Sequence, residues 1–203
     1  MGNKIVYGNK NFGIAPIVDT LGVKSFGTPT MIPGLVNANA EFTQDDTKVY
    51  ADDKVWASLK GVKRRAVTAA LRYIPSTYLA YLGYKVAENG GYSDNGTFSP
   101  HCIFYMTNEA DADTGEEIPT LHYYYNAKAS QPTEPSATKE DTITSAELSI
   151  AYDCEDSDFV VDDDGKSVGY FKITRTETNK ALFDSFASAV ILPTSEIPTP
   201  PES

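Results

Sequence analysis

Residues 147–155 alternate without a break. Leu148, Ile150, Tyr152 and Cys154 fall on one parity, and Glu147, Ser149, Ala151, Asp153 and Glu155 on the other. A period of two sends successive side chains to opposite faces, so this segment specifies a strand with one buried and one wet face. The same logic extends along the chain. Residues 62–73 set Val67, Ala69 and Leu71 against Arg64, Ala66, Thr68, Ala70 and Arg72. Residues 35–43 alternate more loosely through Ala38, Ala40 and Phe42. Residues 101–107 are apolar on both parities, as a central strand would be. Residues 121–129 put Leu121, Tyr123, Tyr125 and Ala127 on one face, and residues 168–174 add another strand.

The punctuation between these runs is of the β kind. Gly and Pro crowd residues 1–34, which predicts an irregular lead-in with short extended pieces. Residues 44–60 hold Asp45, Asp46, Asp52 and Asp53 around Tyr50 and the single tryptophan, Trp56. They predict a long hairpin or loop, too polar to be core along its length. Residues 88–98 and 111–117 are turn regions, residues 130–142 form a loop, and 162–165 (Asp-Asp-Asp-Gly) make a tight turn. Pro75-Ser76 opens a short helix with Ser76 as N-cap; Tyr78, Leu79 and Leu82 supply its stripe and Gly83 its stop. Residues 177–191 fit either a helix, with Leu182, Phe186, Ala189 and Val190 on one face, or a strand. Pro193, Pro198, Pro200 and Pro201 mark 193–203 as an exposed arm. The expected architecture is mainly β. It has six or seven strands in a two-sheet sandwich or barrel, one or two short flanking helices, a single domain over 1–192 and a C-terminal arm.

Charge narrows the function. The net charge is −11, with 28 acidic and 17 basic residues in the 203-residue chain. Residues 1–100 carry 11 basic and 8 acidic side chains, residues 101–203 only 6 basic and 20 acidic. Tight nucleic-acid binding needs Lys and Arg against phosphate, so an acidic chain suits a surface that DNA slides past. The one basic cluster, Lys60, Lys63, Arg64, Arg65 and Arg72, predicts a contact with the acidic half of another copy. No stretch is apolar enough for a membrane span, and Val6 stands where a myristoylation signal wants Ser or Thr. No membrane anchor is expected.

The residues for catalysis are sparse. His101 and Cys102 are neighbours on a strand, so they point to opposite faces and cannot form a nucleophile–base pair. Cys102 and Cys154 sit in apolar strand patterns as buried free thiols. Asp111, Asp113 and Gly115 open like a calcium loop, but His122 stands where the bidentate Glu belongs. No enzyme activity, cofactor or metal is expected.

Phe26-Gly27-Thr28-Pro29, then Ile32-Pro33-Gly34-Leu35, then Tyr50-Ala51-Asp52-Asp53, then the helix from Ser76 to Gly83, resemble in order and spacing the major tail proteins of long, non-contractile-tailed (siphovirus-like) bacteriophages. The likeness covers residues 5–175, weakening towards the end. It implies a subunit of the tail tube, made and folded in a host bacterial cytoplasm and carried in the virion. Six copies would close a ring and rings would stack, with inner strands of neighbouring copies joined around the lumen. The partners implied are further copies, a tape-measure protein in the lumen, and terminator and distal tail or baseplate proteins at the ends; DNA passes unbound. In that frame Tyr50, Asp52, Asp53, Trp56, Lys60, Lys63, Arg64 and Arg65 are candidates for contacts between copies. Glu147, Asp153 and Glu155 are candidates for a lumen-facing acidic wall. A second reading is a carbohydrate-binding or adhesin sandwich, whose signal would be exposed aromatics around one concave patch.

Overall fold

The computed structural model describes residues 4–111, 115–133 and 147–197. Among these, one antiparallel sheet of nine strands and a two-stranded ribbon carry the fold. The long strands are β1 (Lys4–Thr20), β4 (Leu35–Ala51), β5 (Lys54–Leu71), β8 (His101–Asp111), β9 (Glu117–Ala129) and β10 (Leu148–Glu155). Shorter ones are β2 (Val23–Phe26), β3 (Thr30–Met31) and β11 (Tyr170–Thr174), with β6 (Tyr84–Val86) and β7 (Tyr92–Asp94) forming the ribbon. Strand order is β2-β1-β8-β9-β10-β5-β4, with β3 on β1 and β11 on β9. The far edge of β9 is shared: Thr120 to Tyr124 pair with β11, and Asn126 to Ala129 pair with β10.

The mainly-β expectation holds, with two antiparallel sheets of unequal size and two short helices. The large sheet curls without closing into a barrel. Its distant strands β1 and β4 come together, and the Asn9 side-chain amide donates to Asn37 Oδ1 at 3.0 Å. No backbone ladder joins them among the described residues. Curling gives the sheet two apolar faces. Inside the curl, Phe12, Ile14, Val67, Leu71, Ile103, Tyr124, Ile150 and Tyr152 pack with Tyr78 and Leu82 from α1 (Ser76–Leu79) and the 3-10 turn that follows it. On the other face, Phe104, Leu121, Tyr123 and Tyr125 are covered by Phe183 of α2 (Lys180–Asp184) and by Ile191. Each large apolar side chain buried this way contributes about 1.5–3 kcal/mol.

Several local expectations are corrected. Residues 4–20 are not an irregular lead-in but one 17-residue strand. Bulges at Gly8 (φ 65°) and Asn11 (φ 54°) break its period of two and shift its pairing with β8. Gly13 within it lies on the ring of Phe104, where any Cβ would collide. Among the described residues, eleven strands stand where six or seven were expected, because the short strands β2, β3, β6 and β7 lie inside stretches rich in turn formers. Ala127 does not share a face with Leu121, Tyr123 and Tyr125. A register shift between β8 and β9 at this level flips the parity, so Ala127 packs inside the curl. Ser76 is the first helical residue rather than the cap. Pro75 holds the cap position in extended conformation, no side chain caps the helix, and Gly83 ends the turn at φ 81° as expected. Residues 180–187 are helical, with Phe183 the buried anchor. Of the Pro-rich arm, Leu192 N donates to Ser195 Oγ; residues 198–203 lie outside the described residues, as do Asp113 and most of the 130–142 loop.

Candidate assembly surfaces

The strand directions define two ends. β4 runs out to its tip at Ala51 and β5 returns from Lys54, so the hairpin leaves the body at the end that also holds the start of β1, the end of β8 and the start of β9. Beyond the Gln44–Lys63 pair the strand continues for seven more residues to Ala51, and the turn begins one residue on at Asp52, a projection of about 26 Å at about 3.3 Å per residue. The anticipated alternatives of hairpin or loop resolve as a continuous two-stranded hairpin. Its turn is Asp52-Asp53, both at positive φ (49° and 58°), the signature of a type I′ turn.

Two features aim the hairpin's side chains. A bulge opposite Val49 and Tyr50 leaves Trp56 as the extra residue, beside the Tyr50–Val55 pair. Trp56 is 77% exposed, Tyr50 65% and Val55 51%. Trp56 is therefore not an anchor in the core of its own chain. The ribbon presents a phenol, a valine and an indole to solvent. Ser58 Oγ donates to Asp46 Oδ1 at 2.6 Å and Gln44 Nε2 to the Gly61 carbonyl at 2.9 Å, tying the two strands between tip and base.

The opposite end carries a smaller projection. β1 and β2 pair from Ile17–Phe26 to Thr20–Val23, closing on Leu21 and Gly22. Leu21 is fully exposed and sits at φ 55°. That left-handed conformation costs a residue with a Cβ about 1–2 kcal/mol. Gly22 N donates to Asp19 Oδ1 at 2.8 Å, which holds the turn. Val18 and Val23 flank it, also exposed.

The basic cluster divides. Arg65 pairs with Asp156 at 2.7 Å and Arg72 with Glu147 at 3.2 Å, both in the same chain. The expected link between the basic and acidic halves is thus partly intramolecular. Gly169 leaves room for the Arg65–Asp156 pair, since a Cβ there would meet both side chains. Lys60, Lys63 and Arg64 have no ion-pair partner among the described residues. A groove of about 450 Å³ opens between Phe42, Thr43 and Gln44, Lys63 to Arg65, and Tyr170, whose ring meets Phe42 edge-on at 5.2 Å.

The acidic candidates Asp153 and Glu155 lie on the wet face of β10, as the alternation predicts. Register places them beside Ala66 of β5, and Lys128 and Asn126 of β9. Glu41 and Thr68 continue the same face through β4 and β5. It is a broad surface of small and polar residues. Its acids are Glu41, Glu147, Asp153 and Glu155, and its bases Arg64, Arg72 and Lys128. The Lys128–Glu155 pair, at 3.3 Å, sits within it.

The residues with catalytic potential are used in packing. His101 is fully buried. Its Nδ1 faces the Ser99 carbonyl at 2.8 Å, which can only accept, so Nδ1 carries the proton and Nε2 accepts from Tyr78 Oη at 3.1 Å. Tyr152 Oη must then donate to Tyr78 Oη at 2.6 Å. Burial pulls the His101 imidazole down to about 4. Cys102 lies on the opposite face, in the other apolar cluster, and burial pushes its thiol well up. His122 contacts Thr107 Oγ1 and Tyr170 Oη, at 2.9 and 3.0 Å. Asp162 spends its carboxylate on the backbone N–H groups of Asp164 and Lys166. No cluster of three or more His, Cys, Asp or Glu side chains suited to a metal occurs among the described residues. No helix there is long and apolar enough to cross a membrane. Tyr78, Tyr105, Tyr123, Tyr124, Tyr125 and Tyr152 are buried, and Tyr7, Tyr50, Tyr73 and Tyr92 are exposed.

The architecture is a curled antiparallel sheet from which a two-stranded ribbon projects with large apolar side chains bare. The family model described as Phage tail tube protein matches residues 2–199, and the chain belongs to that family of virion structural proteins. No curated protein matches its sequence. Among solved structures, a chain from the cryo-EM structure of an extracellular contractile injection system, the PVC sheath-tube complex in its extended state, is similar at 13% identity and a TM-score of 0.44. The match covers 82% of this chain and 88% of that one.

Proposed function

We propose that this chain is the repeated subunit of a long, non-contractile phage tail, closing into six-membered rings that stack into the conduit for DNA. Family membership supports a tail tube protein. The observation that carries the assembly reading is the β4–β5 hairpin. It projects about 26 Å from the sheet with Tyr50, Val55 and Trp56 bare, apolar area that burial against a second chain would take from water. Unpaired strand edges favour lateral joining of copies, and contacts between unlike ends propagate as a stack.

In this scheme the small-residue face of β4, β5 and β10 lines the lumen. Its four acids against three bases leave no continuous basic track to anchor phosphate. The chain performs no catalysis. A tape-measure protein occupies the lumen before DNA does, and terminator and distal tail or baseplate proteins close the ends. Residues 1–192 act as one unit, with 193–203 as an arm. Electron microscopy of the concentrated protein tests the reading: tubes or six-fold rings are expected. A chain that stays monomeric at every concentration rules out self-assembly. A ring structure with an excess of Lys and Arg on its inner wall overturns the assignment of the lumen face.

A further inference from the structure

We propose that the β1–β2 turn of one copy, through Leu21 and Val23, seats on the Tyr50–Val55–Trp56 surface of the β4–β5 hairpin of the copy stacked against it. This rests on the tube reading and specifies where its axial contact lies.

Leu21 combines two unfavourable circumstances. It is bare to solvent and it occupies a positive-φ turn position where Asn or Gly would sit without strain. Nothing among the described residues offsets either, because its side chain is wholly exposed. Val18 and Val23 extend the apolar surface along one face of the same ribbon, since Thr20 pairs with Val23 and Val18 with Ser25. The hairpin at the other end presents the matching chemistry: an indole, a phenol and a valine side by side, also bare.

Geometry brings the two together only between copies. β1 runs towards the end opposite the hairpin tip, so the two projections point in opposite directions and cannot meet in one chain. The strands that bear them adjoin through the Asn9–Asn37 hydrogen bond. A second copy stacked along the strand direction brings its turn towards the hairpin of the first. Unlike ends meet, so the contact repeats indefinitely.

Two variants test this. Asn adopts positive φ more readily than Leu, so Leu21→Asn is expected to leave the monomer's melting temperature unchanged or raised. The protein concentration at which tubes begin to form should rise at least tenfold. Leu21→Cys combined with Val55→Cys is expected to give a ladder of disulfide-linked oligomers in oxidised tubes, because the native Cys102 and Cys154 are buried. Either single cysteine variant should give none. Tubes of Leu21→Asn forming at the wild-type concentration overturn the inference, as does a double variant that forms tubes without a ladder. Dimers from Leu21→Cys alone also overturn it, since like ends would then be meeting. Each of these leaves the tube reading standing, whereas a wild-type chain that never assembles removes both.

Discussion

Replacing Trp56 by Ala separates assembly from folding. The side chain is 77% exposed, so its own chain covers about a quarter of it. A large aromatic buries about 150–250 Å² when fully enclosed. On the order of 150 Å² therefore awaits a neighbour, about 4 kcal/mol at about 25 cal/mol/Å² for complete coverage. Half coverage gives about 2 kcal/mol, or about 30-fold in the association constant per contact. The intramolecular loss is about 1 kcal/mol, which moves the melting temperature of a chain this size by about 2–4 °C. Light scattering against concentration reads the first quantity and a thermal melt of dilute protein the second. The expected result is a large rise in the onset of assembly with a small change in melting, and substantial recovery with Trp56→Phe. A variant that melts much lower yet assembles at the wild-type concentration would refute the reasoning, because Trp56 would then be holding its own hairpin.

Three further outcomes are expected. Assembly should weaken as salt rises, because Lys60, Lys63 and Arg64 remain available to another copy and exposed charges are screened over about 8 Å at physiological ionic strength; onset measured against NaCl would contradict this by staying flat or falling. Asp53→Gly should steady the hairpin by a few tenths of a kcal/mol to about 1 kcal/mol, since Gly takes positive φ without strain; slower amide exchange across residues 47–59 checks it, and faster exchange would count against the turn assignment. Stability should fall with acid. His101 has a folded value of about 4 against an ordinary 6.5, so the unfolded chain binds the extra proton between those limits. The contribution is fully present above about pH 6.5 and is lost towards pH 4, at about 1.4 kcal/mol per pH unit for this group. Denaturant melts across that window should show a shallower slope for His101→Gln, and an unaltered slope would exclude His101 as the source.

The sequence was most legible where alternation ran unbroken. β10 shows its buried and wet faces in the order the residues predict, and the β5 pattern of Val67, Ala69 and Leu71 against Arg64, Ala66 and Thr68 is the one observed. It was least legible at bulges, each of which reverses parity without changing composition. Gly8 and Asn11 hid a 17-residue strand inside a stretch rich in turn formers. The register shift between β8 and β9 moved Ala127 off the face of Tyr125. Trp56 lay beyond reach for the same reason, because a bulge sets its direction and no period of two predicts it. A Leu-Gly turn at Leu21 offered a signal, a bulky residue before Gly between two valine-bearing segments. Its exposure became evident only with the strand pairing. The partners of Arg65 and Arg72 were hidden in another way: charge counts cannot distinguish an ion pair within a chain from one between chains.

β5 is the longest strand, and it belongs to two ladders at once. Its outer half, from Lys54, pairs only with β4, whereas its inner half, Arg65 to Leu71, is clamped between β4 and β10. A pull on the hairpin tip along the strand direction is therefore delivered down β5 into hydrogen bonds that lie across the load. Those bonds must slide together instead of opening one after another. The body resists in shear, while a sideways force on the tip meets a single two-stranded ribbon that bends. In a filament linked through such hairpins, each subunit body would therefore pass on a stretching load stiffly while the ribbon between bodies flexes.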